Sequence, residues 1–229
     1  MKRFINRLEG DVNPHVSCDR FFEHVLVSAN MARPKNQEER RRTLRLAAFR
    51  AIADGWGRVR VRDIADAAGM SPAAVLYYYP DIDTLITEAI QHAMERFYER
   101  RAAQAESIED PRAQLVATIG SGFPSGPDDE EVLMLYLGVP VIRRSPAVAA
   151  LIRSLTARQV SLYQTILEVG RAQGCFDLAD DSLTIARNLV ALEDAYGLYV
   201  INGNPAMVDE GKRLTLSYAS MATRCPLSF

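Results

Sequence analysis

Apolar positions recur at helical spacing along most of the chain, and no segment shows the pattern of a strand. From Gln37 to Asp54, Leu44, Ala47, Ala48, Ala51 and Ile52 share one face. Arg40, Arg41, Arg45 and Arg50 lie mostly off it. That spacing predicts an amphipathic helix, stopped by Gly55 and Gly57, with Trp56 available to pack between elements. Val61–Ala68 reads as a short second helix on Ile64, Ala65 and Ala68. Gly69 stands where it must end, because glycine takes a left-handed conformation without steric cost. Ser71 is then a natural N-cap and Pro72 a first helical residue. This third helix runs to about Tyr79 and stops at Pro80, which lacks an amide hydrogen. Asp81 or Asp83 caps a longer fourth helix reaching about Gln104.

The second half continues in the same period. Pro111–Gly120 predicts a short helix, "SGFPSGPDDEE" a turn-rich loop, and Val132–Arg144 a largely apolar segment. A long helix follows on Val148, Leu151, Ile152, Leu155, Leu162 and Ile166, ended by Gly170 or Gly174. Ser182–Ile201 is apolar on two sides. One stripe is Ile185, Leu189, Leu192, Tyr196 and Tyr199, and the other is Leu183, Ala186, Val190 and Leu198. Pro205–Met221 carries Met207, Gly211, Leu214, Tyr218 and Met221 in phase. The expected fold class is all-α.

Composition adds boundaries. The chain has 229 residues, 48% of them hydrophobic, enough for one large domain or two small ones with a real core. The net charge is -2, but it is unevenly spread. Met31–Pro80 holds ten basic residues against five acidic, residues 1–30 balance, and the remainder is acidic. A basic unit joined to an acidic one suits a nucleic-acid binder with a regulatory or assembly domain behind it. Cys18, Cys175 and Cys225 are far apart with no CxxC, which argues against a disulfide framework and for a reducing compartment. None of them has metal-ligand spacing to His15, His24 or His92. No signal peptide or 20-residue apolar run is evident, so the expectation is a soluble cytoplasmic protein. "MARPKNQEERRR" reads as a natural start. Residues 1–30 are therefore expected to be an extension, either disordered or an artefact of the gene model, or else a genuine arm. Residues 31–83 then form one domain and 84–229 another.

Helix, glycine turn and short capped helix make up the helix-turn-helix layout. Such a unit lays its second helix in the DNA major groove, with residues near that helix's start facing the base edges. Ser71 and the amides beside Pro72 can reach phosphate. Ala73 is small enough for close approach and contact with a thymine methyl. Tyr77 and Tyr78 offer hydroxyls and flat faces to the backbone, and Arg60 and Arg62 can neutralise phosphates. Successive helical positions diverge, so Tyr79 is expected to pack inward while Tyr77 and Tyr78 face out.

The stretch "VRDIADAAGMS", then Val75, "YYYP" and Leu85, preceded by "RLAAFRAIADGW", closely resembles the DNA-binding domain of the TetR family of bacterial repressors. There are departures. Family members usually carry Ser or Thr where Arg60 stands, a small polar residue or Lys at Pro72, and Tyr-His at Leu76-Tyr77. The lysine that commonly grips phosphate at the start of the fourth helix is replaced by Ile82, so that contact does not carry over. "YQTILEVGRAQGCF" and "LVALEDAYGLYV" resemble the C-terminal domain of the BetI-like subgroup.

The resemblance implies a four-helix dimer interface built from the last two helices, with Leu183, Val190, Leu198, Met207, Gly211, Leu214 and Tyr218 as its candidates. The alternative is that these residues close the subunit core. The function implied is a homodimeric DNA-binding regulator, a repressor released from a palindromic operator by a small molecule. Tyr136, Gln164 and Asn188, polar side chains among apolar helices, are the candidate ligand contacts. Two rivals stand beside this reading. One is a DNA-binding dimer controlled by a protein partner or by its own concentration. The other is an enzyme, which lacks an assembled catalytic constellation: Glu193 and Asp194 are adjacent and point apart on a helix. No cofactor or metal is expected.

Overall fold

The computed structural model describes residues 36–52, 59–124, 126, 129, 136 and 145–229, and every regular element among them is a helix. They are α1 (36–52), α2 (Val61–Ala68), α3 (Pro72–Tyr78), α4 (Ile82–Glu106), α5 (Pro111–Gly122), α6 (Pro146–Ala172), α7 (Ser182–Ile201) and α8 (Met207–Thr223). The chain up to Arg42 is a separate unit, in which Arg42 Nη2 meets Glu39 Oε1 at 3.2 Å, one turn away. The compact body starts at Thr43. The expected N-terminal extension, the stop at Gly55 and Gly57 beside Trp56, and Val132–Arg144 apart from Tyr136 lie outside the described residues. No helix of the described residues is long and apolar enough to cross a membrane.

Side-chain caps set most of the helix starts. The N-cap residues Ser71, Asp81, Asp110, Ser145 and Asp181 each accept a hydrogen bond from an amide of the first turn, for example Thr184 N to Asp181 Oδ1 at 2.9 Å. Proline follows directly at Pro72, Pro111 and Pro146, where its missing N–H costs nothing. The predicted boundaries hold to within one or two residues for α2, α3, α4, α5 and α7. Helix α8 begins and ends two residues later than its apolar pattern suggested.

Among the described residues three apolar clusters fill the body, and α4 contributes to each. Its start supplies Leu85 and Ala89 to a cluster with Leu44 and Ala48 of α1, Ile64 of α2 and Val75 of α3. Its middle gives Ile90, Met94 and Phe97 to a second cluster, with Phe49 and Ile52 of α1 and Val148 and Leu155 of α6. Its end sends Ala105 into the largest cluster, built from α5, α6, α7 and α8 around Leu115, Ile119, Tyr163, Leu167 and Leu189. At 25 residues α4 is about 37 Å long, enough to run from its contacts with α2 and α3 into the far bundle. Each fully buried Leu or Ile contributes about 1.5–3 kcal/mol relative to exposure. These clusters therefore hold the helices far more firmly than the scattered surface ion pairs do.

Close packing at the end of α6 rests on Gly170. A Cβ there would run into the ring of Phe176, which is 4% exposed and belongs to the largest cluster. We expect Gly170→Ala to lower stability by about 1–3 kcal/mol, the usual cost of overpacking a filled core. Urea denaturation would show it as a lower midpoint at an unchanged slope.

Candidate nucleic-acid interface and buried polar centre

The helix-turn-helix is built from α2 and α3. Helix α2 starts at Arg60, whose backbone amide donates to Asp63 Oδ2 at 2.8 Å. This is half of a capping box. Arginine has no acceptor to return the second bond, so replacing the family's hydroxyl residue leaves the cap incomplete. Gly69 closes α2 at φ 64°, ψ 34°, and the Met70 amide donates back to Ala65 O at 2.9 Å. Ser71 then caps α3 through Ala74 N at 3.2 Å. Ile64, Ala65 and Val75 are fully buried and lock α3 against α2.

That packing decides which face of α3 is offered outward. Ser71, Pro72 and Ala73 are exposed, as are Arg60 and Arg62. Tyr77 is 74% exposed and Leu76 42%. Tyr78 is half-buried, with its ring edge-on to Tyr77 at 5.2 Å between centroids. Tyr79 points inward and is 2% exposed. Its hydroxyl donates to Glu88 Oε2 at 2.6 Å, and Arg45 stands 3.7 Å from the same carboxylate. Burial first, and Glu88 second, push the Tyr79 hydroxyl up to about 12. The three tyrosines thus divide into one outward, one half-covered and one core residue. Ile82, where the family resemblance implies lysine, is half-buried against the α1 and α4 apolar clusters.

A second polar site lies deep in the far bundle. Arg101 of α4 is 1% exposed. Its Nη2 donates to Glu193 Oε1 and Oε2 at 2.9 and 3.1 Å, to Thr118 O at 3.0 Å and to Tyr163 Oη at 3.2 Å, and its Nη1 donates to Gln159 Oε1. The Tyr163 hydroxyl donates to Glu193 Oε1. One guanidinium therefore joins α4, α5, α6 and α7. Gly122 makes room for it, since a Cβ at that position would strike the Glu193 carboxylate. Burial is the largest influence and disfavours the Arg101 charge, but Glu193 and Tyr163 together outweigh it, and the guanidinium stays firmly protonated. Burial lifts the Glu193 carboxyl to about 7, with Arg101 and then the Tyr163 hydroxyl pulling it down.

Sequence reasoning missed this cluster, although a signal existed. Arg101, Gln159 and Glu193 each sit in phase with a buried stripe: Phe97 and Ala105 on α4, Leu155 and Tyr163 on α6, Leu189 and Gly197 on α7. A polar residue in such a phase needs a buried partner.

The three candidate ligand contacts do not converge. Tyr136 is half-buried, and its hydroxyl lies where a side chain on Gly197 would stand. Burial, followed by Asp194 and Glu193, raises its pKa above the usual range for a tyrosine. Gln164 lies 3.4 Å from Ser182 Oγ, near the start of α7. Asn188 is exposed and donates to Tyr218 Oη at 2.8 Å. Asp194 reaches solvent on its outer side, while the bundle beneath strips water from its carboxyl and lifts it to about 6 against the pull of Arg101.

The candidate dimer residues divide by burial. Val190, Met207 and Gly211 are buried inside the subunit, and Gly211 lies against Phe123 and Tyr196. Leu183, Leu214 and Tyr218 are half-buried, and Leu198 is 43% exposed. On the same two helices Tyr199 and Met221 are 52% and 67% exposed.

Helices α2 and α3 form a helix-turn-helix carried on a body whose described elements are all helical. Residues 44–89 match the family model of the tetR-family bacterial regulatory proteins. The chain is 28% identical over 190 residues to the HTH-type transcriptional regulator BetI of Rhizobium meliloti, covering 81% of this chain and 90% of that one. A candidate transcriptional regulator from Saccharomonospora viridis, solved in complex with choline, superposes with a TM-score of 0.73 at 26% identity, over 80% of this chain and 96% of that one. A TetR regulator from Haloarcula marismortui shares the fold, with a TM-score of 0.72 at 20% identity over 81% and 98%. The DNA-binding region of the chain is that of the TetR family of transcriptional regulators, and most of the chain is similar to BetI-type members.

The buried pair has a clear energetic signature. Arg101→Met leaves Glu193 buried without a counter-charge and is expected to cost about 3–5 kcal/mol. Combining it with Glu193→Leu removes both charges and should recover most of that loss. Guanidinium denaturation of the two single variants and the double variant measures the coupling.

Proposed function

We propose that this regulator works as a homodimer that binds a palindromic operator and is released from it by a small molecule. The observation that carries this reading is the exposed face of α3, where Ser71, Pro72, Ala73 and a largely uncovered Tyr77 stand beside Arg60 and Arg62. Tyr78, half-covered by its neighbour, sits at the edge of that face and is assigned a backbone contact. One seven-residue helix reads few base pairs, so two copies on two half-sites supply the specificity. With Ile82 in place of lysine, phosphate contacts fall to Arg60, Arg62 and the basic start of the chain. In domain terms, residues 31–83 carry DNA binding and 84–229 carry the effector and the second copy.

The dimer surface is assigned to the outer side of α7 and α8. Leu198, Tyr199, Leu214, Tyr218 and Met221 supply apolar cover there, while Val190, Met207 and Gly211 support it from within. Replacing Leu198 and Met221 together by glutamate places charge in that surface, and sedimentation equilibrium should then return the mass of one chain, with folding preserved by circular dichroism. A variant that still sediments as a dimer would move the interface elsewhere.

For the effector we favour a small organic cation, since a regulator 26% identical to this chain was solved in complex with choline. Arginines already cover several aromatic faces in the bundle: Arg101 lies 5.2 Å from the Phe97 centroid and Arg158 3.8 Å from that of Tyr98. Tyr136 beside the Asp194 carboxylate is the aromatic and acidic pair assigned to the cation. Gln164 and Asn188 are too far from it to share a small ligand, because Asn188 and Gly197 are nine residues apart on α7, about 13 Å.

The test is a gel-shift titration on DNA flanking the chain's own gene, across a salt series. Tyr77→Ala should weaken the specific complex about tenfold, or about 1.4 kcal/mol. Arg62→Ala should reduce the salt slope by about one. Millimolar choline should release the wild type but not Asp194→Asn, and the neutral isostere 3,3-dimethylbutanol should release neither. Equal, weak binding of wild type and Tyr77→Ala to every fragment would overturn the reading surface assigned here.

A further inference from the structure

Cys175 and Cys225 are fifty positions apart in the chain, and the fold brings them to one place. The segment after α6 runs along the end of α8. Asp177 N donates to Thr223 O at 3.0 Å, Ala179 N donates to Ala222 O at 2.8 Å, and Arg224 Nη1 meets Asp177 Oδ2 at 2.8 Å. Cys175 precedes this contact by two residues, and Cys225 follows it by two. Both side chains pack on the same apolar cluster, Cys225 within it and Cys175 against its edge. Both are thiols, with Cys225 9% exposed and Cys175 half-buried.

A cation sits at the pair. Arg112, near the start of α5, has its pKa raised first by a hydrogen bond with Cys225 and next by the charge of Cys175. Its guanidinium, which also faces Asp110 Oδ1 at 3.8 Å, thus stands near the two sulfurs from a chain segment remote from either. Arg112 also lines an open groove of about 700 Å³ between α5 and the C-terminal segment, together with Val116, Gly120, Pro226 and Leu227. Small solutes therefore reach the arginine from solvent.

We propose that Cys175 and Cys225 form an oxidisable thiol site, converted by a peroxide to an intramolecular disulfide that ties the α6–α7 turn to the end of α8. Cys175, the more accessible of the two, reacts first. Its thiolate attacks one peroxide oxygen, the O–O bond breaks, and the leaving hydroxide takes up a proton to become water. Cys175 is then a sulfenic acid. The Cys225 thiolate attacks the Cys175 sulfur and expels hydroxide, which becomes the second water with the proton that Cys225 gave up. In sum two thiols lose two electrons and two protons, and one peroxide becomes two waters. The bond closes a loop through the whole α7–α8 hairpin, the same two helices assigned to the dimer surface. The inference does not depend on that assignment.

The full chain, which contains three cysteines, is treated with one to five equivalents of hydrogen peroxide. Free thiols are then counted after denaturation. The count should fall from three to one, with a loss of 2 Da and a single cross-linked peptide pair joining Cys175 to Cys225. Dithiothreitol should restore all three thiols. In Cys18→Ser the cross-link should form unchanged. In Cys225→Ser, Cys175 should stop at the sulfenic acid and be trapped by dimedone. Oxidised wild type should melt several degrees higher, because a cross-link over a loop this long restricts the unfolded chain. Three unreacted thiols, a cross-link through Cys18, or Cys175 driven to sulfinic acid while Cys225 stays a thiol would each overturn the proposal.

Discussion

The buried Arg101 guanidinium organises the far bundle. A charge at 1% exposure survives only among acceptors, and three helices supply them to Nη1 and Nη2, leaving Nε without a partner among the described residues. Thr118 gives a backbone carbonyl, Gln159 an amide oxygen, Tyr163 a hydroxyl and Glu193 a carboxylate. Those demands fix the relative rotation of α4, α5, α6 and α7 more narrowly than apolar packing would, because an apolar face tolerates small slips and a charged hydrogen bond does not. Gly122 belongs to the same constraint, since its missing side chain is what lets Glu193 reach the arginine.

The same helix carries the reading head at its other end. Leu85 and Ala89 pack with α1, α2 and α3, while Glu88 accepts the Tyr79 hydroxyl and faces Arg45. Helix α4 is thus gripped at both ends by specific polar contacts and along its length by apolar ones. An effector that preferred a different seat for α4 near Glu193 and Asp194 would act on the orientation of α3 without touching DNA. The free energy needed is modest, about 1–3 kcal/mol of differential binding.

Most departures from the pattern of the resemblance fall on the exposed face of α3 and its flanks, while Arg60 also alters the α2 cap and Ile82 packs against the core. Ile64, Ala65, Gly69, Val75 and Tyr79 keep the turn and its core. Pro72, Tyr77 and Ile82 alter what the surface offers to DNA: one amide donor fewer at the helix start, an aromatic face where a Tyr-His pair is usual, and an apolar side chain where a cation is usual. On the proposed reading, a change confined to this face leaves the fold intact and alters the operator recognised.

Local chemistry made much of this molecule legible before any fold was known. Helical spacing, Gly69, the Ser71-Pro72 start, Pro80 and the aspartate caps each act within a few residues of themselves, so the order and bounds of the helices and the helix-turn-helix could be read directly. The inward turn of Tyr79 followed from helix geometry in the same way. What the chain could not disclose is which of two apolar stripes on α7 and α8 meets its own subunit. Val190, Met207 and Gly211 are as apolar as Leu198 and Met221 along the sequence, and only packing against Phe123, Tyr196 and the rest of the bundle separates buried from exposed. The Arg101–Glu193 pair and the meeting of Cys175 with Cys225 belong to the same class. Each joins residues dozens of positions apart, and a contact of that range has no local signature until tertiary packing brings its two ends together.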